Sequence, residues 1–485
     1  MLKWERMWWL GLGILMIIGL GSAQETNQTL VIRGATLIDG TGKPPQENVT
    51  ILIDAGKIQA VDPHAKVPDR ARIIDATGKF VIPGLIDSRV EIGPSPGNRV
   101  NRAEVRIDQR IQSLRALLAA GVTTTRLYQG DFDEQKLYAR WWEEELLFSP
   151  RLVLAGPTFT APRGHPTEQY TIAATNVRRR ETREVANVDD AQDKARELAH
   201  TGLQVFEVVY DRGTDQEPYP RLEKDALETV IQEAHGHERK IFCDVGRSEE
   251  AATAVGLGVD AIEGVWEEPL SENVLAEMAR KQVFYVPVLS EQGDLLSLLD
   301  EPAMKAYLDE PIVKRTLTTT MKRSLASSGG TLGSLRQALG NGSGLRQLLK
   351  QQQDRAFANV RRAQAMGVPL AVGTGSGSLL VFPGAAVHRE LELLVRAGLS
   401  PLDAIVAATR NSAQSLGKGS DLGTVEVGKT ADLVILSADP LADIRNTQKI
   451  DFVIQNGKLF QAADLDVSGE PERTESRPGP PSGAH

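Results

Sequence analysis

The sequence predicts an α/β protein: a (β/α)8 barrel beside a small β-subdomain drawn from both ends of the chain. Three observations predict it. Short apolar runs alternate with helical stretches across residues 83–418. Glycine stands between helix and strand at Gly121, Gly202, Gly258 and Gly367, where a residue without Cβ closes a helix. Hairpin chemistry fills two flanking segments, 29–80 and 420–462. Seven or eight βα units fit the middle; a doubly wound parallel sheet is the alternative at this level.

In chain order, residues 1–23 read as a signal peptide. Lys3 and Arg6 open it, an apolar run covers 8–20, and Gly21-Ser22-Ala23 offers a cleavage position. An uncleaved anchor is the other reading, and export to the periplasm or the medium follows from the first. Residues 29–80 alternate apolar and polar side chains, with turns at Asp39-Gly40-Thr41-Gly42 and Asp54-Ala55-Gly56-Lys57. Residues 420–462 repeat the style, with a turn at Asn456-Gly457. Each segment is small for independent stability, so the two are expected to pair into one β-sandwich. Helices are expected over 108–120, 189–200, 224–235, 248–257, 271–281 and 351–366. Residues 289–350 break the rhythm and read as an insertion, a lid over the C-terminal mouth of the barrel. Its Gly-rich stretch 327–344 is expected to exchange hydrogen fast. The tail 467–485 is rich in Ser, Pro, Gly and Glu and is expected to be disordered.

Composition excludes several function classes. The chain has 485 residues, 41% of them hydrophobic, and a formal net charge of −9. No basic surplus favours nucleic acid, and no stable membrane span is expected after signal cleavage. A single cysteine, Cys243, rules out an intrachain disulfide and any cysteine-rich metal site. It reads as a buried structural thiol. Seven histidines are present; His235 and His237 read as the end of a helix, and no His-x-His or His-Glu-x-x-His spacing rebuilds a metal site. His388 opens a helical stretch, and His165 sits in a loop.

Several segments together resemble the amidohydrolase superfamily, in its imidazolonepropionase-like and prolidase-like branch. They are Ile32-Arg33-Gly34-Ala35-Thr36-Leu37-Ile38-Asp39-Gly40, Val81-Ile82-Pro83-Gly84-Leu85-Ile86-Asp87, Ala120-Gly121-Val122-Thr123-Thr124, His388-Arg389-Glu390-Leu391 and Gly428-Lys429-Thr430-Ala431-Asp432-Leu433-Val434. The resemblance implies a metal-bearing barrel that hydrolyses carbon–nitrogen bonds, with ligands at C-terminal strand ends. The family's paired histidines fall on Arg89 and Glu91. Its bridging lysine falls on Glu207, and its two further histidines fall on Asp244 and Gly264. Its general-base aspartate falls on Gly375. All six positions depart from the pattern, and arginine cannot coordinate a metal. The resemblance also places His165 near substrate.

The function expected from these replacements is a degenerate, metal-free homologue that binds a small-molecule or peptide-like ligand. No cofactor is expected, and assembly into a homo-oligomer is left open. The alternative is an active hydrolase with a rewired carboxylate site for Mg²⁺, Mn²⁺ or zinc, built on Glu91, Glu207 and Asp244. Arg89 is expected to supply the charge a metal would have supplied, by holding two of these carboxylates.

Overall fold

The computed structural model describes residues 28–92, 107–170, 174–215, 217–265, 267–292, 295–327, 333–334, 336–337 and 344–469. The expected signal segment lies outside the described residues, as do residues 470–485 and most of the Gly-rich stretch of the insertion.

One sheet joins the two ends of the chain. Its strands are β1 (Leu30–Leu37), β2 (Gln46–Asp54), β3 (Lys57–Val61), β4 (Arg72–Asp75) and β5 (Phe80–Pro83) from the N-terminal side. From the C-terminal side come Leu433–Leu436, Ile450–Gln455 and Lys458–Gln461, here β15, β16 and β17. The order is β17-β16-β15-β5-β1-β2-β3, with β4 on β1. The seam is the antiparallel β5–β15 pair, Pro83 opposite Leu433 and Phe80 opposite Leu436. Alternation sets one apolar face, where Ile32, Leu37, Ile51, Val81, Leu433 and Ile435 are buried together. Both two-residue hairpins use positive φ: Ala55 at 47° and Gly56 at 76°, Asn456 at 50° and Gly457 at 76°. The two tips touch. A Cβ on Gly457 would come 2.8 Å from the Gly56 Cα. The Asp39 segment is instead a longer connection, where Asp39 Oδ1 accepts from the Thr41 N–H at 2.8 Å.

The middle forms parallel sheets. β6 (Leu85–Val90), β7 (Val122–Leu127) and β8 (Arg151–Leu154) pair in one. The other contains β9 (Thr158–Thr160), β10 (Thr182–Glu184), β11 (Val205–Val209), β12 (Lys240–Val245), β13 (Ala261–Gly264) and β14 (Phe284–Val286). Short links run between them. The Gln204 N–H donates to the Leu154 carbonyl at 2.9 Å, the Ala371 N–H to Tyr285 at 3.0 Å, and the Ser88 N–H to Val372 at 2.8 Å. Side-chain caps start several crossover helices: Asp131 before Phe132–Glu143, Asn187 before Val188–Ala199 and Ser271 before Glu272–Lys281.

The insertion holds short helices from Leu289–Gln292 to Thr319–Ser327. The helix expected from residue 351 begins earlier, spanning Gly344–Ala365. Leu289 and Ser290 N–H groups donate to the buried Glu390 carboxylate at 2.8 and 2.6 Å, which fixes where the insertion leaves β14. Val467, the first residue of the expected tail, is buried, and its N–H donates to the Arg315 carbonyl. Among the described residues no helix is long and apolar enough to cross a membrane.

Candidate functional site

Charged side chains inside strands create the site. Arg89, Arg126, Glu207, Asp244 and Glu263 stand on β6, β7, β11, β12 and β13, and all are buried. Strand alternation decides their direction. Asp244 lies opposite Glu263 in the β12–β13 register, while Cys243, one residue back, joins the apolar core.

Two tiers result. In the lower tier Arg126, with no exposed side-chain surface, bridges two carboxylates. Its Nη1 meets Glu207 Oε2 at 2.7 Å and its Nη2 meets Glu263 Oε1. Its Nε donates to the Ser88 carbonyl, and its Cζ lies 4.2 Å from the Phe242 ring centroid. Glu207 Oε1 accepts from Thr158 at 3.2 Å. In the upper tier Arg89 Nη1 reaches Asp244 Oδ2 at 2.8 Å and Glu263 Oε2 at 3.0 Å. Its Cζ stacks 3.7 Å from the Tyr128 centroid, and the Tyr128 hydroxyl donates to Asp244 at 3.1 Å. Glu263 therefore joins the tiers.

Two guanidiniums face three carboxylates. Burial, and then the charges of Glu263 and Asp244, push the Glu207 carboxyl up to about 8 against the opposing pull of Arg126. Burial thus favours the neutral form of Glu207, which moves the lattice toward charge balance. Desolvation of an unpaired ion costs several kcal/mol, so the balance matters.

Asp87, also on β6, anchors the loop Gly373-Thr374-Gly375-Ser376-Gly377. It accepts from Thr374 N–H at 3.0 Å and Thr374 Oγ1 at 2.6 Å. Burial pushes Asp87 up to about 7. Gly375 has φ 67°, and a Cβ there would come 2.4 Å from Glu291 Oε2. Glu291, from the first turn of the insertion, thus fills the space in front of the expected base position. Gly375→Ala is expected to destabilise the protein by about 1–3 kcal/mol, measured by urea unfolding, because the left-handed backbone and Glu291 both resist it. A neutral substitution would refute that account.

Above the lattice lies a cavity of about 300 Å³. Arg89, Glu91, Asp244 and His165 line it, so four of the residues singled out in the sequence meet on one wall system. Glu207 does not line it; it sits beneath, held by Arg126 rather than Arg89. At the expected sixth-strand ligand, Gly264 has φ 85° and offers only its carbonyl, to the Tyr285 hydroxyl at 3.0 Å. The inward carboxylate is its neighbour Glu263. His165 Nδ1 lies 2.7 Å from Glu168 Oε1, and its ring centroid is 5.5 Å from that of Tyr219. Burial works against charge on His165, but Glu168 outweighs it and holds the imidazole above its ordinary pKa. His388 lies elsewhere, buried, with Nδ1 2.9 Å from Thr447 Oγ1 and Nε2 3.0 Å from the Ala120 carbonyl.

Sequence reasoning missed Arg126, Glu263 and Glu291. The available signal was a charge inside a short buried run: Arg126 after Thr123-Thr124-Thr125, and Glu263 after Ala261-Ile262.

Comparison with known proteins places this geometry in context. The model of the amidohydrolase family matches residues 80–460. Imidazolonepropionase of Geobacillus kaustophilus is 25% identical over 440 residues, covering 85% of this chain and 90% of that protein. Ochratoxinase of Aspergillus niger is 37% identical over 112 residues, so the match spans 22% of either chain. Among solved structures, a Xaa-Pro dipeptidase with bound methionine superposes with TM-score 0.71 at 21% identity, covering 90% of this chain and all of that one. Molinate hydrolase gives TM-score 0.71 at 21% identity, covering 91% and 97%. These structural likenesses concern the fold alone.

Proposed function

The chain belongs to the amidohydrolase family, and from that premise we propose that it is a ligand-binding member whose metal centre has given way to the arginine–carboxylate lattice. One observation carries this reading: Arg126 is fully buried and joins Glu207 to Glu263, the position where the family's chemistry would need a cation. The donor set does not suit a divalent ion. Both oxygens of Glu207 and of Glu263 are already bonded, to Arg126, Arg89 and Thr158. Among the described residues no three of His, Cys, Asp and Glu converge to hold a metal. Guanidiniums are fixed charges that neither exchange nor ionise water, so the lattice supports the pocket without supplying a nucleophile.

The finer architecture belongs to the same proposal. The links from Gln204 to Leu154 and from Ala371 to Tyr285 support closure of the parallel strands into one (β/α)8 barrel. The shared apolar face of the terminal strands supports a small sandwich. Export through residues 1–23 accompanies this reading.

The test is metal analysis and turnover. Protein grown and incubated with Mg²⁺, Mn²⁺ or Zn²⁺ is expected to retain less than about a tenth of an equivalent of any divalent ion. Hydrolysis of dipeptides and cyclic amides is expected to match that of a Glu91/Glu207/Asp244 triple-alanine control. A stoichiometric metal with turnover above that control would establish the rewired hydrolase instead.

A further inference from the structure

The cavity above the lattice is richer in carboxylates than in cations. Glu91, Asp211, Glu217, Asp244, Glu267 and Glu291 line it, against the guanidinium of Arg89 and the imidazole of His165 among the described lining residues. Asp244 is committed to Arg89. Asp211 and Glu267 form no ion pair with a lysine or arginine among the described residues, and the one opposing charge that acts on Asp211 is the imidazole of His165. Asp211 Oδ1 accepts only the Gly213 N–H, at 2.7 Å, and Glu267 Oε1 accepts only from Gln352, at 3.1 Å.

The backbone brings these two together. The Glu267 N–H donates to the Gly246 carbonyl at 3.3 Å. A Cβ on Gly246 would lie 2.8 Å from Asp211 Oδ1. Gly246, just after β12, is thus the bare floor on which both carboxylate-bearing loops converge.

A second observation points to a bound molecule. The Arg89 side chain is only 5% exposed, yet its Nε has no hydrogen-bond partner. The atom facing it, Glu291 Oε2 at 3.9 Å, has none either. Both atoms are themselves buried, and their missing hydrogen bonds cost free energy that a guest drawing Glu291 aside and entering between them would recover.

We propose that this cavity takes an organic cation, an ammonium or guanidinium group seated between Asp211 and Glu267, with a polar atom of the same ligand completing Arg89 Nε and Glu291. The inference rests on the ligand-binding reading above. Geometry favours a multi-atom cation over a metal ion. The carboxylates are spread around a 300 Å³ space, and no three of His, Cys, Asp and Glu among the described residues meet closely enough for one metal ion. A planar guanidinium satisfies two separated carboxylates with fixed donors. Like charge already strains the empty site: burial, then Asp244 and Glu267, raise the Asp211 carboxyl above its ordinary value.

The test titrates wild-type protein with butylguanidinium and butylammonium. 1-Pentanol serves as the neutral isostere, butyrate as the anion, and Mg²⁺ and Ca²⁺ as point charges. Calorimetry and thermal shift are expected to give saturable binding for the organic cations alone. The Asp211→Asn/Glu267→Gln variant is expected to weaken that binding by about tenfold or more. Absence of saturable cation binding overturns the proposal, as does equal binding of pentanol, equal binding of Mg²⁺ or Ca²⁺, or binding unchanged in the variant. The wild-type series decides the question even if the variant fails to fold. Failure of the two readings is distinguishable. Release of butylamine from butylguanidinium would overturn the non-hydrolytic reading and leave the cation preference standing. Binding of butyrate or pentanol in place of the cations would do the reverse.

Discussion

Arg126→Met is expected to lower the unfolding free energy by about 3–5 kcal/mol, a large share of the roughly 5–15 kcal/mol that holds an ordinary domain together. Arg126 has no exposed side-chain surface and serves Glu207, Glu263 and the Ser88 carbonyl at once. Methionine fills comparable volume, so the loss reports charge rather than a cavity. Removing the guanidinium leaves two carboxylates buried beside each other with Arg89 as their only remaining cation in the lattice. Adding Glu207→Gln is expected to recover part of the loss, with a coupling of about 1–3 kcal/mol in the double-mutant cycle. Arg126→Lys is expected to resemble the methionine variant, because one ammonium cannot span three partners set for a planar fork. Urea unfolding monitored by circular dichroism measures all three. A loss below about 1 kcal/mol for Arg126→Met would show that the lattice is not what holds these strand ends together.

Stability is expected to fall as pH rises from 5 to 8. Burial raises Asp87, Glu291 and Glu390 to about 7, and Glu207 to about 8. In an unfolded chain each would titrate near 4. A carboxyl with a raised folded pKa holds its proton longer in the native state. Its contribution is complete below about pH 4 and disappears as pH climbs through 7 to 8, with a slope of up to about 1.4 kcal/mol per unit per group. His388 works in the opposite direction. Burial depresses it to about 3, so its contribution is present above pH 6.5 and is lost as pH falls toward 3. Depressed surface carboxyls such as Glu277 act only below about pH 4.5, outside this window. The net expectation is a loss of at least about 2 kcal/mol between pH 5 and 8. Glu390→Gln should flatten the slope, because it removes one titrating group, and it should lower stability at every pH, because its single amide oxygen cannot replace both oxygens that accept from Leu289 and Ser290. Stability that is constant or rising over this range would contradict the assignment.

The parts of the fold that were legible in the sequence are those set by neighbours in the chain. Gly121, Gly202, Gly258 and Gly367 close helices at φ 80°, 92°, 104° and 76°, and each was readable from its place between two patterns. Asn456-Gly457 announced its own hairpin. The site was legible where the family resemblance placed a residue at a strand end and the strand alternation agreed, as at Arg89 and Asp244. It was not legible where stagger between strands decides. Glu263 faces inward and Gly264 does not, and that one-residue difference follows from the β12–β13 register rather than from any local pattern. Arg126, in a threonine-rich strand, finds its partners only where other strands bring Glu207 and Glu263 to it. Glu291 enters from a helix whose start depends on Glu390 receiving two backbone N–H groups, a contact about a hundred residues away in sequence.

The β5–β15 seam also sets a timetable for making this protein. Pro83 leaves the ribosome 350 residues before Leu433, its partner. At roughly 5–20 residues per second, β5 waits on the order of 20–70 s with one edge open. β1 to β3 can zip meanwhile, but the side of β5 that β15 will cover presents bare N–H and C=O groups beside buried-type side chains, a template for pairing with another nascent chain. The last strands to be made therefore seal an edge that opened among the first, and the Gly56–Gly457 contact between hairpin tips completes that seal. Crowded synthesis, or a stop before residue 433, would leave the molecule sticky rather than merely short.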